Sequence, residues 1–181
     1  MNRWLVIAIA ASASCRGSQP EPHWSAKPLK PYQSVAQGVA FSIELTEGME
    51  SHEFVANGAQ TVTFMFPFDP DEAPFANVEL VKPQTVQEFV DDFESVRKKY
   101  ANLRKDALPD GFIVTYETND VVRKRSRFRS TCSRRVDDQR ALQVAVEVTP
   151  INDGDRTHVP EIEKMCLSLK PAAAPATPNG G

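Results

Sequence analysis

The stretch that decides the fold is residues 112–149, FIVTYETNDVVRKRSRFRSTCSRRVDDQRALQVAVEVT. Apolar and polar side chains alternate along three segments of it, 112–118, 121–133 and 141–149, and this alternation is typical of half-buried strands. Short turns, the first at residues 119–120, separate the segments, and connections this short join antiparallel neighbours. The sequence therefore predicts a three-stranded antiparallel meander.

Further strands and two helices surround the meander. The additional segments with strand character are 39–45, 52–56, 62–68 and 76–82. Thr85 and Glu88 have the spacing of a capping box, which predicts a helix start, and apolar residues continue at helical spacing as far as Tyr100. A short second helix is predicted to begin at Pro160. Together these elements predict an α+β domain, an antiparallel sheet of about six to seven strands with one long and one short helix packed on it.

The amino terminus has the pattern of an export signal. A charged start at Arg3 is followed by an apolar run over residues 4–11 and then by small residues. Two cleavage sites fit this pattern. Cleavage after Ala13 would give an ordinary secreted protein with an unpaired Cys15. Residues 12–15, Ser-Ala-Ser-Cys, instead resemble the lipobox of bacterial lipoproteins, which implies a signal peptide over residues 1–14 and lipidation of Cys15.

Both ends of the chain differ from its centre in composition. Residues 15–34 are rich in proline and polar side chains, which predicts a tether, and residues 171–181 are an Ala/Pro segment predicted to be disordered. A single domain is expected over residues 35–170. Without Arg3 the chain has 20 basic and 24 acidic side chains, a net charge of −4. This balance excludes a general nucleic-acid-binding surface.

The order of elements in residues 35–170, strands, a long helix, three strands and a short helix, looks like that of the PsbP-like superfamily, which includes small bacterial lipoproteins. This resemblance implies a PsbP-like sandwich and says nothing about chemistry. With the lipobox, it implies an exported envelope protein, held by lipid at the periplasmic face or the outer membrane.

The two remaining cysteines are predicted to point inward. Cys132 falls on the apolar side of its strand, and Cys166 falls on the apolar stripe of the last helix. In an oxidising compartment two such cysteines are expected to pair. The disulfide would close a loop of about 33 residues and stabilise the fold by about 3–4 kcal/mol. Two separate buried thiols are the alternative.

A strongly basic strand is the second unusual feature. Residues 121–140 contain eight basic and two acidic side chains, and four arginines occupy alternate positions. These are Arg123, Arg125, Arg127 and Arg129. One interpretation is an anion-binding strip for acidic lipid headgroups, a cell-wall polymer or an acidic protein, because the guanidinium group binds carboxylate and phosphate bidentately. The other is a solvated face paired with Glu117 and Glu147 of the flanking strands.

Motifs of known enzyme classes do not occur in the sequence. There is no nucleophile elbow, zinc-protease helix, phosphate loop or dinucleotide fingerprint, and no cysteine or histidine spacing typical of a metal site. The sequence therefore predicts a non-catalytic binding or assembly role, with no cofactor and no metal. The alternative is an envelope enzyme whose active site lies in the loops near His52, Asp71 or His158.

Overall fold

The computed structural model describes residues 23–56, 59–67, 73–96, 101–120 and 125–172. These residues form ten strands in two antiparallel sheets, together with two α-helices and a short 3-10 turn at Trp24–Ala26. The strands are β1 (Leu29–Ala36), β2 (Val39–Thr46), β3 (Glu50–Ala56), β4 (Ala59–Met65), β5 (Phe75–Val81), β6 (Ala101–Leu108), β7 (Gly111–Asp120), β8 (Arg125–Arg135), β9 (Ala141–Val148) and β10 (Lys170–Pro171). The helices are α1 (Val86–Val96) and α2 (Val159–Leu167).

The small sheet has the order β1-β2-β10 and the large sheet has the order β3-β4-β5-β9-β8-β7-β6. The predicted meander is confirmed, since β7, β8 and β9 are sequential antiparallel neighbours at the centre of the large sheet. Cys132 of β8 lies between Ile113 of β7 and Val144 of β9 in this register.

The predicted fold class is wrong. We expected one antiparallel sheet of six to seven strands covered by a long and a short helix, but the described residues form two sheets of three and seven strands and are mostly strand. The small sheet was missed because of the prolines in and next to its first strand, β1. Pro28 precedes the strand and Pro31 lies within it, and proline in a polar segment is typical of a tether. Pro31 is accommodated because β1 is an edge strand, where a missing N–H need not break the ladder. The tether prediction is therefore wrong for residues 29–34.

Strand β6 was also missed. Its sequence, ANLRKDAL, is polar and lies directly after the predicted long helix. It occupies the outer edge of the large sheet, where strands bury little apolar surface and charged side chains oppose pairing with other molecules. Helix α1 spans Val86–Val96 in the described residues, and its capping box is confirmed. The Thr85 N–H donates to Glu88 Oε2 (2.7 Å), and the Glu88 N–H donates to Thr85 Oγ1 (3.2 Å).

The main core lies between the two sheets. It contains fully buried side chains of β2, such as Phe41 and Ile43, and of the large sheet, such as Val144, and α2 packs into it through Ile162 and Met165. A smaller cluster lies on the other face of the large sheet, where Val90 of α1 covers Phe112, Val114 and Tyr116 of β7. None of the described helices is long and apolar enough to cross a membrane.

Candidate functional site

The arginines of β8 lie on the face of the large sheet that carries α1. Along this strand the arginines at 125, 127 and 129 are half-buried and alternate with buried Ser126 and Phe128, which point toward the main core. The alternation follows from strand geometry, because successive side chains point to opposite faces. The fourth candidate, Arg123, lies outside the described residues.

Arg127 and Arg129 share one carboxylate. Arg127 Nη1 lies 3.3 Å from Glu147 Oε2, and Arg129 Nη1 lies 2.8 Å from Glu147 Oε1. Arg129 is directly opposite Glu147 in the ladder of β8 and β9, so the register itself creates the pair.

The expected partnership of the arginines with Glu117 is wrong. Glu117 lies opposite Phe128 in the β7–β8 ladder, and therefore on the other face of the sheet from the arginines. It accepts hydrogen bonds from Ser126 Oγ (2.6 Å) and Arg156 Nη2 (2.8 Å). Only Glu147, of the two predicted acidic partners, pairs with the arginines of β8 in the described part of the chain.

Arg125 holds a loop in place. Its Nη1 donates to the carbonyl oxygens of Pro150 (3.3 Å) and Ile151 (3.1 Å). Next to it, the backbone N–H of Ser126 donates to Asp153 Oδ1 (2.6 Å), which lowers the pKa of the Asp153 carboxyl. The predicted strip therefore divides into a structural arginine, Arg125, and the group of Arg127, Arg129 and Glu147, which we call the arginine–glutamate cluster.

A cavity of about 450 Å³ adjoins the arginine–glutamate cluster. Among the described residues of its wall, Arg127 and Glu147 are charged, and Met65, Phe66 and Phe75 are apolar. Arg129 Nε is buried and has no hydrogen-bond partner in the described part of the chain. This combination of apolar wall and charged groups suits a ligand with both an apolar part and an anionic group.

The two described residues of the alternative enzyme prediction, His52 and His158, lie on different elements. His52 is exposed on β3, where its ring lies 6.4 Å from that of Phe54. His158 precedes α2 and packs against Trp24 (4.7 Å between ring centroids) and His23 (5.4 Å). Asp71 lies outside the described residues. Among the described residues, no group of three His, Cys, Asp or Glu side chains could hold a metal ion.

Cys132 and Cys166 lie together in the main core. Both are fully buried, as predicted, and both are free thiols in the structure. Cys166 Sγ lies 3.8 Å from the carbonyl oxygen of Val144, the residue of β9 that is opposite Cys132 of β8. Burial and the contact with Cys132 raise the pKa of the Cys166 thiol. The disulfide between them stays a prediction, and both cysteines lie beside Val144.

Oxidation of this pair gives a direct test. The protein purified from an oxidising compartment is expected to have an intact mass lower by two hydrogen atoms than the reduced protein. After reduction, both thiols should resist iodoacetamide until the fold is opened, because both are buried, and the raised pKa of Cys166 further disfavours its reactive thiolate. The disulfide should raise the free energy of unfolding by about 3–4 kcal/mol. A free thiol at Cys166 in the unreduced exported protein would contradict the prediction.

The signal and anchor predictions, including Cys15, concern residues outside the described part of the chain. No family model and no curated protein matches the sequence. Among solved structures, the chain is similar to the Ran-binding protein Mog1p of Saccharomyces cerevisiae, with a TM-score of 0.56 and 11% identity over 80% of this chain and 96% of that one. It is also similar to a single-residue variant of Mog1, with a TM-score of 0.53 and 10% identity over 78% and 95% of the two chains. The expected PsbP-like sandwich is thus corrected, and this likeness shows a Mog1-like fold.

Proposed function

We propose that this chain is an exported bacterial envelope protein, anchored by lipid at Cys15, with a non-catalytic binding role. The anchor rests on the order of charged, apolar and small residues before Cys15. Two or more acyl chains on one cysteine give stable membrane attachment, whereas a single chain binds only reversibly. In this proposal the domain stands away from the membrane on the proline-rich segment that follows Cys15.

The proposed ligand is an acidic segment of another envelope protein, bound at the arginine–glutamate cluster. The observation that carries this proposal is the sharing of Glu147 by Arg127 and Arg129 beside the cavity. A ligand carboxylate would bind at Arg127, whose side chain is 40% exposed beside the cavity. An apolar side chain of the same segment would enter the cavity along Met65 and Phe75. The name of the structural neighbour, a Ran-binding protein, also supports a protein ligand for this fold.

Exposure separates the roles of the two arginines. The Arg127 side chain is 40% exposed and can reach a ligand, whereas Arg129 is 28% exposed and holds Glu147 at 2.8 Å. Hydrogen bonds in which both partners are charged are about twice as strong as neutral ones. Arg127 is therefore the contact residue of this proposal, and Arg129 is a positioning residue that orients Glu147.

Replacing Arg127 by glutamine tests the proposed ligand. A fluorescein-labelled peptide of alternating glutamate and leucine serves as the probe, with binding followed by fluorescence anisotropy. Arg127→Gln should weaken binding about tenfold, as expected for the loss of one charge-assisted hydrogen bond. Binding to the unchanged protein should also weaken as salt is raised.

Arg135→Gln is the matched control. Arg135 belongs to the same strand and is 60% exposed, but it lies at the far end of β8 from the cluster. This variant should bind the probe with unchanged affinity. Equal affinities of the unchanged protein and the Arg127 variant, with both folded by circular dichroism, would contradict the proposal.

A further inference from the structure

The outer strand β3 of the large sheet is uncovered on both of its faces. All side chains from Glu50 to Val55 are exposed, whereas the next strand inward buries Val62 and Phe64 completely. The small sheet does not extend this far, because β1 packs across β4 and β5. Two large apolar side chains therefore remain in solvent, Phe54 at 52% and Val55 at 76%.

The backbone edge of β3 is open as well. This strand pairs with β4 on one side and ends the sheet on the other. Half of the N–H and C=O groups of an edge strand point away from the sheet, and they form a template for one more strand. Among the described residues, no further strand, helix or loop supplies backbone hydrogen bonds to this edge.

The charges of β3 select the chemistry of an added strand. Glu50 and Glu53 are its charged side chains, and there is no lysine or arginine in the segment. Glu50 shares a face with Phe54, and Glu53 shares the other face with Val55, because alternate residues of a strand lie on one face. Each face thus has a carboxylate toward one end of the strand and an apolar side chain toward the other.

We propose that β3 receives an extended peptide strand from a partner protein. Its residues opposite Glu50 and Glu53 are basic, and its residues opposite Phe54 and Val55 are apolar. When this strand runs antiparallel to β3, its residues are, from the amino end, apolar, apolar, basic, polar, polar and basic. A second copy of this chain is a poorer occupant, because β3 contains no lysine or arginine, so in antiparallel overlap of β3 with β3 neither carboxylate of one copy meets a lysine or arginine of the other. This surface has the opposite charge to the arginine–glutamate cluster, and its Glu50 lies opposite Met65 of the cavity wall in the β3–β4 ladder.

The probe for this surface is the peptide acetyl-Val-Val-Lys-Thr-Thr-Lys-amide, with binding measured by isothermal titration calorimetry. The peptide should bind, and its binding should slow hydrogen exchange of backbone amides in β3. Glu53→Lys should weaken binding about tenfold, because it replaces an attractive cross-strand pair by a repulsive one. A peptide with proline in place of both threonines should also bind about tenfold more weakly, because proline has no N–H for the ladder and one of two successive residues directs its N–H at the edge of β3.

Two variants complete the design. Phe54→Ser should weaken peptide binding about fivefold, whereas Ile151→Ser, at an equally exposed site (55%), should not change it. Arg127→Gln should also leave binding of this peptide unchanged. The peptide at β3 and the acidic peptide at the arginine–glutamate cluster are therefore tested independently, and either proposal can fail without the other. Absence of peptide binding to the folded protein, or equal affinity for the proline peptide, would overturn the proposal. The proposal would also be overturned if sedimentation velocity showed a dimer of the unchanged protein and a monomer of the Phe54→Ser variant.

Discussion

Replacing Gly111 by alanine is expected to destabilise the fold more than the same substitution at any other described glycine. Gly111 begins β7 and lies opposite Arg134 at the start of its ladder with β8. A Cβ at this position would overlap the carbonyl oxygen of Ser133 and lie 2.7 Å from its carbonyl carbon. These are backbone atoms of a central strand, so relief requires a shift of β8 itself. The free energy of unfolding should fall by about 3 kcal/mol or more.

Gly38→Ala is the control for this substitution. Gly38 has a positive φ of 79°, but no atom lies within 4 Å of the added Cβ. Its cost is therefore the left-handed backbone conformation alone, about 1 kcal/mol. Urea unfolding followed by circular dichroism compares the two variants. A loss of stability at Gly111 no greater than that at Gly38 would show that β7 and β8 are not in the described register.

Replacing Cys15 by serine is expected to release the protein from the membrane. Lipidation of the lipobox type forms a thioether at the cysteine, and a serine hydroxyl cannot replace that sulfur. Each buried methylene of an acyl chain contributes about 0.8 kcal/mol of membrane affinity, so loss of the chains removes essentially all of the attachment. Fractionation of bacterial cells that express the protein should show more than a tenfold fall in the membrane-bound share.

Cys166→Ser is the matched control for the anchor. It also removes one thiol, but from the core of the domain, and the membrane-bound share should stay unchanged. An equal distribution of the Cys15 variant and the unchanged protein between membrane and soluble fractions would contradict lipidation at Cys15.

The parts of the fold that could be predicted from the sequence are those with long, regular patterns. Alternation over 112–149 predicts these strands because β8 and β9 bury one face against the main core, and β7 buries its alternate apolar side chains under α1. The same alternation places Cys132 inward. The capping box at Thr85 and Glu88 predicts the start of α1 because its two hydrogen bonds depend only on local spacing.

The missed parts are edge strands. β1 and β6 bury little apolar surface, and their prolines and charges are tolerated because one side of each strand has no ladder to maintain. Without β1, the sequence offers no partner for β2, so β2 is assigned to the large sheet. The number of sheets therefore depends on the segment with the weakest pattern in the sequence.

In the candidate site, too, the sequence predicts only what depends on local pattern. Alternation predicts that the β8 arginines share a face, but a partner depends on register between strands that are distant in sequence. Glu147 lies opposite Arg129, whereas Glu117 lies opposite Phe128. A shift of one residue in the β7–β8 ladder would bring Glu117 to the face of the arginines. The same shift in the β8–β9 ladder would move Glu147 away from that face. Nothing in the sequence pattern distinguishes the two glutamates.

The most direct test of this account is the intact mass of the protein extracted from the membranes of a bacterial host. The account predicts a chain that begins at Cys15, lacks residues 1–14 and carries a covalent lipid at its first residue. A chain without lipid that begins at Met1 or at Ser14 would contradict it.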